Sequence, residues 1–391
     1  MTSDSHSLSH HSFRHFLHSA AYGVYTFIHK NALLTIAVAV ALLTSLIVPP
    51  DAGYASYVDY KLIICLFSTL AVICALRNIG FFSALACKTV ALTGNLRSSV
   101  LALIYITFIG SMIIANDMAL LTFLPLGYYV LHYTSNEKYM AKLFVLQNIS
   151  ANLGGMLTPF GNPQNIYLYN YYNIGNLEFM KIMSVPFAVA VLMLTLSCFL
   201  FPATKLSVSG FSDSVASKKR AVFYSALFVA AILMFMKVIP YAIAFPVILL
   251  LIFVTDRSAL KKVDYALLFT FFFFFIAAGN LSRIPALNSL LSSLLQKNTL
   301  LWSVISCQFI SNVPSAILLS NFTDNYKALL IGVNIGGTGT LIASLASLIT
   351  FRSYVSLNKN SALSFLKTFT LFSFSFLIIL YFVSLNVLKF I

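Results

Sequence analysis

A chain of 391 residues in which 60% are hydrophobic and only 9% are charged carries far more apolar surface than a soluble core can hide, which excludes an ordinary globular domain. A polytopic membrane protein is expected instead. The net charge of +14 does not point to nucleic acid, because the basic residues punctuate the connections between apolar runs rather than gathering in a soluble basic domain.

Residues 1–31 form a polar tail that holds six of the seven histidines. His11, His15 and His18 would share one face of a helix, but the tail reads as an interfacial segment with incidental histidines rather than a metal site. It lacks the basic start, short apolar core and small-residue cleavage site of a secretory signal, so the first apolar segment is expected to remain as an anchor. Apolar runs begin at 32–48 and end at 369–388, and each approaches the roughly 20 residues that cross the hydrocarbon layer. About ten to twelve crossings or half-crossings are expected at that length.

Arg77, Lys88 and Arg97 fall in one connection, Lys205, Lys218, Lys219 and Arg220 in a second, and Arg257, Lys261 and Lys262 in a third. The loop between the first two runs carries Asp51 and Asp59. The positive-inside rule makes the three basic connections and the N-terminus cytoplasmic, in a bacterial inner membrane. Cys65, Cys74, Cys87, Cys198 and Cys307 have no C-x-x-C spacing and are expected to be reduced core residues.

The hydrophilic segment 205–220 divides the chain into halves, 32–204 and 221–391. Each half runs through the same series: a span ending at an arginine (Arg77; Arg283), an amphipathic stretch (81–92; 286–295), a span leading into an asparagine (Asn116; Asn312), and a break of the form Asn-x-Gly-Gly-x-x-Thr. The breaks are Asn152, Gly154, Gly155 and Thr158, then Asn334, Gly336, Gly337 and Thr340, with Thr338 inside the second. Counting spans from the basic loops puts the amphipathic stretch at 286 outside and its partner at 81 inside. The halves are therefore expected to be inverted repeats with a binding site where they meet, Asn152 and Asn334 lying close together.

Four polar clusters interrupt the apolar sequence: Asn116-Asp117, Asn152 to Asn165, Ser311-Asn312 and Asn334 to Ser347. Buried amides and acids are costly when unpaired, so a shared polar cavity is the economical explanation. The glycines let the backbone leave the helix. Thr158 is then expected to cap a new half-helix with Pro159 at its first position, and Thr340 to do the same in the second break. Gly161, Asn162 and Asn165 add further polar groups, and Ser344 takes the place of Asn162. Half-helix N-termini suit an anion, while Asn116, Asp117 and Asn312, with unwound carbonyls, suit Na⁺. Asp117, the one acid deep between apolar stretches, is read as a cation ligand or proton carrier, with a helix cap as the alternative. Lys237 and Arg283 lie near span ends, where snorkelling relieves them of any site role. The run Phe271 to Phe275 is expected to be lipid-facing and packing surface.

From Leu76 to Arg352 the chain resembles the ion-transporter superfamily of arsenite permeases, D-type sodium/proton antiporters, citrate transporters and divalent-anion/sodium symporters. The dicarboxylate symporters carry a Ser-Asn-Thr motif at each re-entrant hairpin tip, where this chain reads Ala115-Asn116-Asp117 and Ser311-Asn312-Val313. The Asn116-Asp117 pair followed by an apolar helix is most similar to the arsenite permease and citrate-transporter-like branch. The resemblance implies an all-α inverted-repeat bundle with two re-entrant hairpins or broken helices, a dimer, and alternating access. The expected function is secondary transport of a small anion coupled to Na⁺ or H⁺, with a cation/proton antiporter using Asp117 as the alternative. No H-E-x-x-H, G-x-S-x-G or phosphate-loop motif is present, so neither an enzyme nor a cofactor beyond Na⁺ is expected. Gly155→Val and Gly337→Val should each reduce uptake to background while the protein still inserts, because a β-branched side chain blocks the break. Normal uptake by both variants in proteoliposomes would reduce these glycines to packing residues.

Overall fold

The computed structural model describes residues 31–390 apart from 82–83, 85–87, 89–91, 115, 206–216, 236–237 and 359–360. The histidine tail, Cys87, Lys237 and most of the amphipathic stretch at 81–92 lie outside the described residues. Among those described the chain is all-α, with one isolated bridge between Asn95 and Lys205. The first half contains α1 (Ala32–Ile47), α2 (Tyr60–Asn78), α3 (Leu96–Ile114), α4 (Asn116–Tyr133), α5 (Met140–Gly154), α6 (Pro163–Tyr171) and α7 (Asn176–Cys198). A linking helix α8 (Lys218–Phe235) leads to α9 (Tyr241–Thr255), α10 (Tyr265–Ser282), α11 (Pro285–Ile310), α12 (Asn312–Leu319), α13 (Tyr326–Gly336), α14 (Leu345–Leu357) and α15 (Ala362–Val387).

Local chemistry sets the helix starts. Asp59, Asp264 and Asn325 accept the backbone N–H of Leu62, Leu267 and Ala328 and so cap α2, α10 and α13. Pro163 and Pro285 open α6 and α11, where the missing N–H costs nothing. Within α11 the backbone leaves helical geometry at Asn298, whose side chain accepts from Leu301 N at 2.9 Å and recaps the helix. That kink separates the amphipathic stretch from the apolar run that follows it.

Helix length divides crossings from half-crossings. The helices α2, α3, α7, α10 and α15 are long and apolar enough to span, and α1, α9 and α14 are shorter apolar helices. With nine and eight residues, α6 and α12 rise only about 12–14 Å, less than half of a bilayer core.

The packing follows one two-fold pattern. α3 lies on α4 and α5 as α11 lies on α12 and α13, while α6 packs across onto α12 and α13, and α14 onto α4 and α5. α15 meets α5 as α7 meets α13, and α1 meets α10 as α9 meets α2. The linking helix α8 has no mate in this scheme, and one extra crossing is what reverses the direction of the second half.

The connections sort into two ends. At one, Lys262 donates to Asn78 (2.6 Å), Asn78 donates to Asp256 (2.8 Å), and Arg97 donates to the Phe201 carbonyl (2.9 Å). All three basic connections reach this end. At the other, Arg283 donates to Asp51 (2.8 Å) and Tyr57 (2.9 Å), and Tyr326 donates to Glu178 (2.6 Å). Arg283 is thus not idle: its guanidinium fastens the Asp51 loop to α10 and holds the Asp51 carboxyl below the usual carboxylate range. The pair is solvent-exposed, so it fixes a loop more than it stabilises a fold.

Of the phenylalanine run, Phe271, Phe274 and Phe275 are buried and only the remainder faces outward in part. Cys65, Cys74, Cys198 and Cys307 are buried thiols. At the centre α5 is buried on every side from Leu143 to Gly154, Gln147, Asn148, Ser150 and Asn152 included. It crosses α3 so closely that a Cβ on Gly154 would overlap the Phe108 carbonyl. Gly154→Ala is therefore expected to destabilise the protein by about 1–3 kcal/mol, as overpacking does, measured by unfolding in detergent. An unchanged stability would contradict this packing.

Candidate functional site

The two hairpin tips are built alike. α3 and α4 meet at Asn116, whose Oδ1 accepts from Asp117 N at 3.0 Å, and α11 and α12 meet at Asn312, whose Oδ1 accepts from Val313 N at 2.9 Å. Asn116 Nδ2 then donates to Asn152 Oδ1 at 3.2 Å. A Cβ placed on Gly337 would stand 2.9 Å from Asn312 Nδ2 and 3.6 Å from Asn152 Oδ1. Asn116, Asn152, Asn312 and Gly337 therefore converge, and the first break meets the second. Both hairpins stop at the breaks, as re-entrant pairs do. Ser311 sits at the second tip with φ +75° and ψ 158°, a conformation that costs a non-glycine residue energy.

Behind each tip the arm clamps its break at matching positions. Thr158 Oγ1 donates to the Met112 carbonyl (3.5 Å) and Thr340 Oγ1 to the Gln308 carbonyl (3.0 Å). Gly154 lies against Phe108 and Ser111, and Gly336 against Val304 and Cys307. A chance likeness of glycine-containing segments does not reproduce contacts in register, whereas a duplicated architecture does.

The breaks also share backbone conformation. Gly155 and Gly337 end their helices in nearly helical geometry, and Asn162 and Ser344 are extended residues from which the chain re-enters a helix. The half-helices consequently begin at Pro163 and Leu345, not after Thr158 and Thr340. The expected threonine caps are corrected on this point: the hairpin arms hold both hydroxyls, and although Thr340 precedes the short 3-10 turn Leu341–Ala343 its side chain makes no cap bond there. Pro163 rather than Pro159 occupies the first helical position. Gly161 is required where it turns back, since a Cβ there would overlap the Gly155 carbonyl. Ser344 Oγ caps α14 by accepting from Ser347 N (3.2 Å). Asn162 makes no cap bond, and its Nδ2 instead reaches the Asn152 carbonyl at 3.4 Å.

Across the repeat interface, Asn334 Nδ2 donates to Asn165 Oδ1 at 2.6 Å, and Asn148 Nδ2 to Ser347 Oγ at 3.1 Å. Asn152 and Asn334 each return a bond to the carbonyl one turn back, Asn148 at 3.1 Å and Leu330 at 2.8 Å. Gln164 Nε2 lies 3.5 Å from Asn334 Oδ1, and Thr350 Oγ1 donates to Asn148 Oδ1 at 3.3 Å. Thr338 is satisfied locally by the Ile335 carbonyl (2.6 Å), and Ser311 Oγ faces Asn312 Oδ1 at 3.3 Å. Sequence reasoning missed Asn148 and Gln308. Asn148 stands one turn before Asn152 on the same helical face, which is the signal that identifies it, whereas Gln308 is separated from Asn312 by the break at Ser311 and carries no such periodic signal.

Four buried acceptors in the first half have no partner, Asp117 Oδ1, Gln147 Oε1, Asn162 Oδ1 and Gln164 Oε1, and all but Gln147 belong to the polar clusters of the tip and the first break. Asn162 and Gln164 are fully enclosed and Asp117 is half-buried. Four helices, α4, α6, α12 and α14, start around this cluster. A cavity of about 530 Å³ lined by Tyr57, Asp59, Tyr167, Tyr171 and Asn321 runs in from the Asp51 end, along α6 and α12. An apolar cavity of about 660 Å³ lies along α3 and reaches Phe160 in the first break.

A helical bundle with long apolar spans, two interrupted helices and a polar cluster enclosed between its halves is that of an integral membrane transporter. The sequence pattern of the citrate transporter family matches residues 25–326, and the chain belongs to that family. The match starts well before Leu76, includes the first break and ends ahead of Asn334. The chain is similar to the "Uncharacterized transporter MJ0456" of Methanocaldococcus jannaschii, with 33% identity over 323 residues, 82% of this chain and 88% of the relative. It is also similar to the "Inner membrane protein YbiR" of Escherichia coli, with 28% identity over 308 residues, 75% of this chain and 80% of the relative.

The strain at Ser311 yields a prediction. Ser311→Gly should raise stability by roughly 1 kcal/mol, as glycine accepts that conformation freely. Thermal unfolding in detergent measures it, and a destabilised Ser311→Gly would show that the serine hydroxyl matters more than the backbone.

Proposed function

We propose that the protein is a secondary transporter that carries a small anion, a carboxylate or oxyanion, by alternating access coupled to Na⁺ or H⁺. One observation carries this reading: the N-termini of α4, α6, α12 and α14 all open onto the Asn152–Asn312 cluster. Each presents roughly half a positive charge, and Asp117 is the one carboxylate within the four polar clusters. The carboxamide donors of Asn116 and Asn312 supply the directional contacts an anion needs, while Asn152, Asn334 and Thr338, whose donors are engaged within the protein, line the site.

The unpartnered oxygens of Asp117, Asn162 and Gln164 are acceptors without donors, which suits a cation at the first break. A cation there neutralises Asp117 and leaves the site positive, so cation and anion should each strengthen the binding of the other. The same free carboxylate oxygen favours one second reading, a cation/proton antiporter in which Asp117 exchanges ions and no anion binds. In either reading the chain works as a transporter rather than an enzyme. Its basic end faces the cytoplasm with the N-terminus, in a bacterial plasma membrane, with 32–204 and 221–391 as the two working halves, and the resemblance supports assembly as a homodimer.

Counterflow uptake into proteoliposomes, run with a panel of labelled anions under Na⁺ and pH gradients, separates the readings. Uptake of an anion supports the first, and cation exchange indifferent to every anion supports the second. Asp117→Asn keeps the shape but removes the charge, so it should abolish the Na⁺ or pH dependence more than it weakens anion binding. Unchanged ion dependence in that variant would remove Asp117 from the coupling step.

A further inference from the structure

The breaks agree in backbone where each helix ends and re-enters, and differ between those points and in how their unwound carbonyls are satisfied. In the second, the carboxamide of Gln308 reaches in from α11: Nε2 lies 2.9 Å from the Gly336 carbonyl, 3.0 Å from that of Val304 and 3.5 Å from that of Thr338. Its Oε1 accepts from Thr340 N at 2.9 Å. A single nitrogen thus sits between two carbonyl oxygens of the break, Gly336 and Thr338, beside the α11 carbonyl of Val304, where a bound cation would find ligands. The matching position on the first hairpin arm is Met112, whose thioether side chain has no N–H to donate.

Gly339 completes the device. Its φ is +133°, and a Cβ there would overlap Gln308 Oε1. The corresponding residue of the first break is Leu157. Gln308 with Gly339 therefore form a fitted pair that replaces Met112 with Leu157, and the additional glycine of the second motif exists to admit the glutamine. In the first break the Gly155 and Thr158 carbonyls are held by Asn165 from within α6, at 3.0 and 3.3 Å. Asp117, Asn162 and Gln164 nevertheless keep free acceptors, whereas among the described residues no buried side-chain oxygen or nitrogen between 300 and 350 lacks a partner.

We propose that the second break is closed to cations because the Gln308 carboxamide occupies the carbonyl cluster an ion would coordinate, so that the transport cycle couples to a single ion at the first break. The count of one ion rests on the coupling reading above, while the closure of the second break rests on Gln308 and Gly339 alone. Despite their common architecture the two repeats would be electrostatically unequal.

The test uses the purified full chain in detergent, with sodium gluconate titrated against choline gluconate, reading thermal stability and, after reconstitution, initial uptake rate. Wild type is expected to respond to Na⁺ with a Hill slope of about 1, or not at all if H⁺ is the coupling ion. Gln308→Glu cannot donate to the carbonyls and adds a charge, so it should be destabilised in choline and recover in Na⁺. Its Na⁺ slope should rise by about 1 over wild type. Gln308→Lys, whose ammonium donates to the same oxygens, should stay folded in choline and keep the wild-type slope, which guards against a general intolerance of substitution. A wild-type slope near 2, a stable and Na⁺-indifferent Gln308→Glu, or a Gln308→Lys as damaged as Gln308→Glu would each overturn the proposal. A wild type indifferent to both Na⁺ and pH, beside a Gln308→Glu that gains Na⁺ dependence, would keep the closed second break and sink the coupling reading instead.

Discussion

Backbone that unwinds where water and lipid can supply no hydrogen bonds must be satisfied by the protein itself, and the rest of this structure follows from that constraint. Two helices are interrupted at the centre of the bundle, and the carbonyls and N–H groups they release are met almost wholly by carboxamides. Asparagine and glutamine suit the task because one planar group both donates and accepts without carrying charge. Asn165 closes the carbonyls of the first break and Gln308 those of the second. An unmade bond at such depth costs about 1–3 kcal/mol, and three of the acceptors left unpaired, on Asp117, Asn162 and Gln164, lie in the polar clusters of the first half.

The same network makes the site a property of both halves together. Asn334 binds Asn165, Asn148 binds Ser347, and α6 and α14 each pack on helices of the opposite repeat. Neither half could hold the cluster alone, since each break finds part of its partners across the interface. This exchange also brings four helix starts to one place, which turns a set of neutral amides into a positively biased pocket.

Symmetry of backbone does not enforce symmetry of chemistry. The two tips, the two glycine contacts and the two threonine clamps correspond in detail. Met112 and Leu157 on one side nevertheless face Gln308 and Gly339 on the other. A duplicated scaffold keeps its shape through small residues and backbone bonds, which leaves the side chains that fill the breaks free to diverge. An inverted repeat can therefore assign different duties to equivalent positions without altering how the halves dock.

Hydropathy, the charge of the loops and the paired glycine motifs are local properties of the chain, and from them the sequence alone determined an all-α membrane bundle, its grouping of basic connections and the two places where helices are interrupted. A Gly-Gly permits the backbone to leave the helix, and its repetition beside polar residues in both halves made those positions readable in one dimension. Where each half-helix restarts was not: Thr158 and Thr340 have good capping chemistry, but the hairpin arms claim their hydroxyls, and Asn162 and Ser344 become the entry residues. The roles of Arg283, Asn148 and Gln308 were hidden for the same reason, because each depends on a partner more than 25 residues away in sequence. Propensity and periodicity report what a segment favours by itself; only tertiary packing decides which of two competing partners a polar side chain keeps once both are buried beside it.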